Sequence, residues 1–173
     1  MNELIAKIEK WAEDRNIIKG SKPIDQAMKL FSEFGELADN VGKGRDCRDD
    51  IGDVFVVLTI ISKQMGGSIN IENYHTQKNA YASQKEAVHY LASYLYSFVC
   101  EASNLDKLQC LNVLDWIAKN NGYTLQECVQ IAYNDIKDRV GILWNGVFVK
   151  NTDANYNEVK SMFEKSIQEN FEV

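Results

Sequence analysis

The run from Val54 to Ile61 contains no charged residue, and Thr59 is its one polar side chain. Such a run must be buried, yet it is far too short to cross a bilayer as a helix, which takes about 20 residues. Its β-branched residues and its length would also allow a buried strand. Helix is the reading adopted, because the flanking segments have helical periodicity and no partner strands are visible. Apolar on all sides, this helix should be the central element of the fold. Asp50 and Asp53 lead directly into it, so both should be partly desolvated.

These acids belong to two pairs of the same spacing, Glu33 with Glu36 and Asp50 with Asp53. On a helix, residues three apart share a face. Two such helices packed antiparallel across the break at Gly42 and Gly44 would aim four carboxylates into one space. Like charges in close contact repel by roughly 4 kcal/mol per pair at an effective dielectric of about 20. Cations would hold such a cluster together, and hard oxygen donors suit Mg²⁺ or Mn²⁺.

The rest of the chain reads as helix. Residues 3–18 place Leu4, Ile5, Ile8, Trp11 and Ala12 on one stripe. Gly20 and Ser21 break the pattern, and Pro23 sits in the first turn of a helix reaching about Val41. Its apolar stripe is Ile24, Ala27, Met28, Phe31, Phe34, Ala38 and Val41, and a separate polar stripe carries Gln26, Lys29, Glu33 and Glu36. The apolar helix runs from about Cys47 and ends before Gly66-Gly67. Residues 83–102, 105–120, 124–139 and, more loosely, 153–170 complete an all-α, antiparallel helical bundle in a single domain, 1–173. Between the last two, Gly141 to Lys150 is a Gly-bounded turn with an apolar tail, an extended arm or a short hairpin. The stretch Leu58 to Gly67 weakly echoes Leu111 to Gly122, as a degenerate internal repeat would.

Composition narrows the function classes. The net charge of −6 argues against electrostatically driven binding to nucleic acid or an anionic membrane. Apolar residues at 45% and a single proline describe a globular, helix-rich chain of 173 residues. The cysteines at 47, 100, 110 and 128 form no CxxC, and no secretory signal precedes them. They read as reduced, mostly buried thiols of a cytoplasmic protein.

The stretches Gln26-Ala27-Met28-Lys29-Leu30-Phe31-Ser32-Glu33-Phe34-Gly35-Glu36 and Asp49-Asp50-Ile51-Gly52-Asp53-Val54 together resemble the MazG-like family of all-α nucleoside triphosphate pyrophosphohydrolases. That family carries ExxE, a linker, then ExxD, with Gly before the last acid. Ala132-Tyr133-Asn134-Asp135-Ile136-Lys137-Asp138-Arg139 and Gly146 to Lys150 are similar to the C-terminal segment of its phage and bacterial members. The likeness spans about residues 10–70 and 122–151. Asp50 departs from it, standing where the family has Glu; its shorter stem would pull the metal or leave a water between, and Asp49 could then help.

The resemblance implies hydrolysis of a nucleoside triphosphate, a dNTP by preference, to the monophosphate and pyrophosphate. It implies Mg²⁺, with Mn²⁺ as an alternative, held by Glu33, Glu36, Asp50 and Asp53. One of Glu33 or Glu36 would orient or deprotonate the attacking water. Lys29, Asn134 and Lys137 are candidates for the phosphates, with Lys43, Arg45 and Arg48 as weaker ones. Gln26, Trp11 and Asn16 are candidates for the base. A homo-oligomer, most simply a dimer, is expected because the apolar helix and the Phe148-bearing arm offer more apolar surface than one small bundle covers.

Blander accounts exist. Glu33 and Glu36 alone are what a solvated helix face carries, and Asn134, Lys137 and Arg139 suit an exposed helix end. Glu72 with His75 and Glu86 with His89 have the spacing of di-iron bundles. They stand too close together, beside Gly66-Gly67, to lie on two full bundle helices. A non-catalytic helical interaction protein that kept the fold is the alternative function.

Overall fold

Pro23 opens the longest helix, and its missing N–H costs nothing in a first turn. A computed structural model describes residues 1–71, 80–101 and 103–169. Among these the helices are α1 (Asn2–Asp14), α2 (Ile17–Gly20), α3 (Pro23–Lys43), α4 (Arg48–Gln64), α5 (Gln84–Glu101), α6 (Asn104–Asn120), α7 (Leu125–Lys137) and α8 (Tyr156–Glu169). One antiparallel hairpin, β1 (Gly141–Trp144) and β2 (Val147–Lys150), lies between α7 and α8. The expected helix over 3–18 is broken: Asn16 takes a left-handed conformation at φ 59°, and its side-chain amide donates to the Leu143 carbonyl. Glu72 and His75 lie outside the described residues.

The Val54–Ile61 run is helical throughout, and every residue of it is buried. It sits at the centre of the core, with α1, α3, α6 and α7 packed around it. Among the described residues no helix is long and apolar enough to cross a membrane.

α3 and α4 are antiparallel. Gly44, at φ 65°, ends α3 in a Schellman turn, its own N–H reaching Val41 and that of Arg45 reaching Asn40. The chain then doubles back, so that Asn40 meets Asp50 near the turn and Ser21 meets Gln64 at the far end.

The core face of α3 is not the stripe expected. Ala27, Leu30, Leu37 and Val41 are buried, while Ile24 (58% exposed), Met28 (59%) and Phe31 (37%) face outward. Leu30 and Leu37 define a line about 150° of helix rotation away from Ile24 and Met28, and α4 and α5 both close on that line. The surface expected to drive oligomerisation is also covered within the chain: α4 is enclosed, and Phe148 packs back against the core.

Gly52 sets the approach of α7 to α4. A β-carbon there would overlap the Cys128 carbonyl and stand 2.7 Å from the Ala132 β-carbon. Without one, α7 lies close along the acidic end of α4. The C-terminus of α7 is then tied to α1. The Trp11 indole donates to the Ile136 carbonyl (2.8 Å), and Arg15 Nε donates to the Arg139 carbonyl (2.6 Å).

The hairpin turns through Asn145 and Gly146, both at positive φ, as a two-residue connection requires. Its strand β1 is held to the α1–α2 corner by the Leu143 N–H, which donates to the Arg15 carbonyl. The Phe148 ring lies over Gly141, where a β-carbon would come within 2.6 Å of it.

Candidate active-site cavity

A cavity of about 420 Å³ opens where α1, α3, α4, α7 and the hairpin meet. Glu33, Glu36 and Asp53 line it together with apolar side chains of α4 and the hairpin and the aromatic rings of Trp11 and Phe148. Lys29, Arg139 and Lys150 also line it. A larger hollow of about 860 Å³ lies between the α1–α2 corner and α8, but it holds none of the paired acids.

The acids occupy different surroundings. Glu33 is buried on α3 and ion-paired with Lys29 one turn earlier. Glu36 is exposed. Asp50 is buried and accepts a hydrogen bond from the Asn40 amide at 2.8 Å. Asp53 is half-buried on the cavity wall.

Their protonation follows from this crowding. Burial, reinforced by the charges of Glu33 and Asp49, pushes the Asp53 carboxyl up to about 7, although Lys29 and Arg139 pull the other way. Burial also raises Asp49, with help from Asp135 and Glu33. It raises Asp50 too, with the Asn40 amide opposing. Glu33, Asp49 and Asp53 therefore act on one another, as antiparallel packing of the two acid pairs requires.

The cluster is not preassembled as a metal cage. Among the described residues no three acidic, histidine or cysteine groups are gathered closely enough to hold one ion. Lys29 occupies Glu33 and Asn40 occupies Asp50.

The cations are placed differently from the expectation. Lys29 and Gln26 line the cavity. Asn134 and Lys137 do not: both are exposed on α7, and Asn134 accepts a hydrogen bond from Gln130. At about 100° per residue, Asp135 shares the side of Cys128 and Ala132 that packs on Gly52, whereas Asn134 and Lys137 turn away; Arg139 follows the end of α7, its N–H donating to the Ile136 carbonyl. Arg139 and Lys150 are the cavity cations that spacing alone did not assign.

The linker cations are spent locally. Lys43 and Arg45 pair with Asp39, and Arg48 pairs with Asp46. Asn16 serves the hairpin. Glu86 and His89 both lie on α5, where the His89 ring contacts Tyr90.

Comparison with known proteins adds one distant likeness. The chain is 48% identical over 66 residues to a Haemophilus phage HP1 protein described as an uncharacterized 18.2 kDa protein in the rep-hol intergenic region. The match covers 37% of this chain and 40% of that protein, so it spans well under half of either. No family model matches the chain, and no solved structure matches it.

Proposed function

We propose that this protein is a metal-dependent nucleoside triphosphate pyrophosphohydrolase, with dNTPs as the favoured substrates. The observation that carries the reading is the cavity itself, in which acidic, apolar and aromatic, and basic side chains share one space. A nucleoside triphosphate has the complementary parts: a flat base, a polyanionic tail, and a divalent cation travelling with that tail.

The donor set fits a hard cation. Glu33, Glu36 and Asp53 offer carboxylate oxygens, and their mutual repulsion is what a divalent ion would relieve. Asp50 would join on release from Asn40, and Glu33 would exchange Lys29 for the ion. Bound there, Mg²⁺ or Mn²⁺ would supply positive charge against the phosphates and acidify water.

The chain's own residues would do the rest. Trp11 is fixed by its bond to Ile136, and with Phe148 it offers the base an apolar slot. Lys29, Arg139 and Lys150 would bind phosphate oxygens. A water held by Glu36 would lose its proton to that carboxylate while attacking the α-phosphorus, breaking the bond to the bridging oxygen so that pyrophosphate departs. Glu36 is better suited than Glu33 to this role, because Glu33 is buried and ion-paired.

Purified protein should be incubated with each common NTP and dNTP, with Mg²⁺ or with a chelator. Equal amounts of monophosphate and pyrophosphate, formed only with metal, are expected. Release of orthophosphate, or no turnover of any nucleotide, would overturn the reading. The second result would favour a non-catalytic helical interaction protein. The Lys29–Glu33 pair and the Asn40–Asp50 bond support that alternative, since they satisfy two of the acids without any ion.

A further inference from the structure

Ser21 holds the side chains of two glutamines at the corner between α2 and α3. Its hydroxyl donates to the Ile17 carbonyl at 2.8 Å. That uses its only proton, so the lone pairs of its oxygen can only accept. They accept from Gln64 Nε2 at 2.9 Å and from Gln26 Nε2 at 3.0 Å.

The Gln64 amide cannot be turned over. Its nitrogen also donates to the Ile17 and Ser21 carbonyls, each at 3.1 Å, where an amide oxygen would be repelled. Gln64 Oε1 is left buried with no donor among the described residues, so the donors are what this corner requires. With its proton spent on Ile17, Ser21 has nothing to give a second acceptor. Gln26 therefore presents nitrogen to Ser21 and keeps its oxygen on the other side of the amide.

That other side belongs to the cavity. Gln26 lines it, and Ser21 lies outside the lining. Among the described residues no donor reaches Gln26 Oε1. Gln26 precedes Glu33 by seven residues, which puts the two on nearly the same face of α3 and about 10 Å apart along it. A nucleotide spans a similar distance from the outer edge of its base to its α-phosphorus. Ile17 and Ile60, which line the cavity at this end, are apolar, so Gln26 supplies the polar atom there.

We infer that Gln26 reads the outer edge of the substrate base, and that its Ser21-held oxygen selects adenine and cytosine, which carry an exocyclic amino group, over keto bases. The inference rests on the proposed use of the cavity as a nucleotide site. The amino groups of adenine and cytosine donate, whereas the oxygens that guanine and thymine carry at the corresponding positions only accept. An amino group donates to Gln26 Oε1. A keto oxygen in its place faces another acceptor, and Gln26 cannot offer its nitrogen without giving up Ser21. Such a mismatch leaves polar groups unpaired, which discriminates more strongly than a change of shape in an apolar pocket. Ser21 and Gln64 are positioning residues that act through the orientation of Gln26.

Calorimetric titration with α,β-imido nucleotides, which resist cleavage at that bond, separates recognition from turnover. The matched pairs are the analogues of dATP with dITP and of dCTP with dUTP, which exchange an amino for a keto group. In the pair that binds more tightly in Mg²⁺, the amino member should bind at least about tenfold tighter. Gln26→Leu should bring that ratio close to one. Ser21→Ala should lower it at least about threefold, because the freed Gln26 amide can then turn, while Gln64 keeps both carbonyl bonds at the corner. Gln26→Glu, which offers only acceptors, should retain the preference. A parental ratio near one or reversed overturns the inference, as does a ratio unchanged by Gln26→Leu. The amino preference without hydrolysis of natural nucleotides would uphold it and sink the proposed chemistry; hydrolysis without the preference would do the reverse. No binding of any of the four analogues would overturn both.

Discussion

Gly52 stands directly against the backbone of Cys128, with the Ala132 side chain beside it. That single close approach brings Asp135 and Arg139 alongside the acids of α4 and carries the hairpin after α7 to the cavity rim. The glycine before Asp53 therefore has a packing role distinct from any chemistry of the acids.

Gly52→Ala should destabilise the protein by about 1–3 kcal/mol, because a β-carbon would overlap backbone that cannot swing away. The helix propensity gained, about 1 kcal/mol, is too small to offset this. Gly35→Ala, in open space, should instead raise stability by about that amount. Urea titration of both variants checks the opposite signs; a stabilised Gly52→Ala protein would contradict the packing account.

Stability of the metal-free protein should fall as pH rises from about 4 to 7 and then level off. The Asp53 carboxyl sits at about 7 in the fold and near 3.9 in an unfolded chain. Between those values the native state holds a proton that the unfolded state has lost, so raising the pH favours unfolding. Asp53→Asn should flatten that slope and melt higher than the parent at pH 8 in chelator. Melting temperatures across pH 5 to 8 would test both.

Millimolar Mg²⁺ or Mn²⁺ should raise the melting temperature at pH 8, since an ion bound only by the folded state shifts the equilibrium toward it. Glu33→Gln and Asp53→Asn should each reduce the shift. An unmoved melting temperature in the parent would remove the support for a shared cation site.

Substrate contacts should follow the cavity and not the helix spacing. Arg139→Ala or Phe148→Ala should raise KM about tenfold, a loss of about 1.4 kcal/mol. Asn134→Ala and Lys137→Ala should leave both constants unchanged. Glu36→Gln should lower kcat by orders of magnitude while circular dichroism shows the fold intact. Parental turnover by the Glu36→Gln protein would remove the proposed base.

The helices themselves were legible in the chain, because a 3.6-residue period and Gly or Pro punctuation are local properties. So was the approach of Glu33 and Glu36 to Asp53, since i, i+3 spacing fixes each face and the Schellman turn at Gly44 folds one helix onto the other; that Asp50 is taken up by Asn40 and does not line the cavity was not. The rotation of α3 was not legible. Its apolar residues occupy about half the helix circumference, and only packing by α4 and α5 decides that Leu30 and Leu37 go inward while Ile24 and Met28 stay out. The rest of the cavity lining was hidden for the same reason. Arg139, Phe148 and Lys150 reach it through the seating of α7 on Gly52 and the Arg15 and Asn16 bonds to the hairpin, which join residues more than a hundred positions apart. Local sequence sets which face a side chain occupies on its own helix; which neighbour that face meets is settled by the summed burial of the whole core.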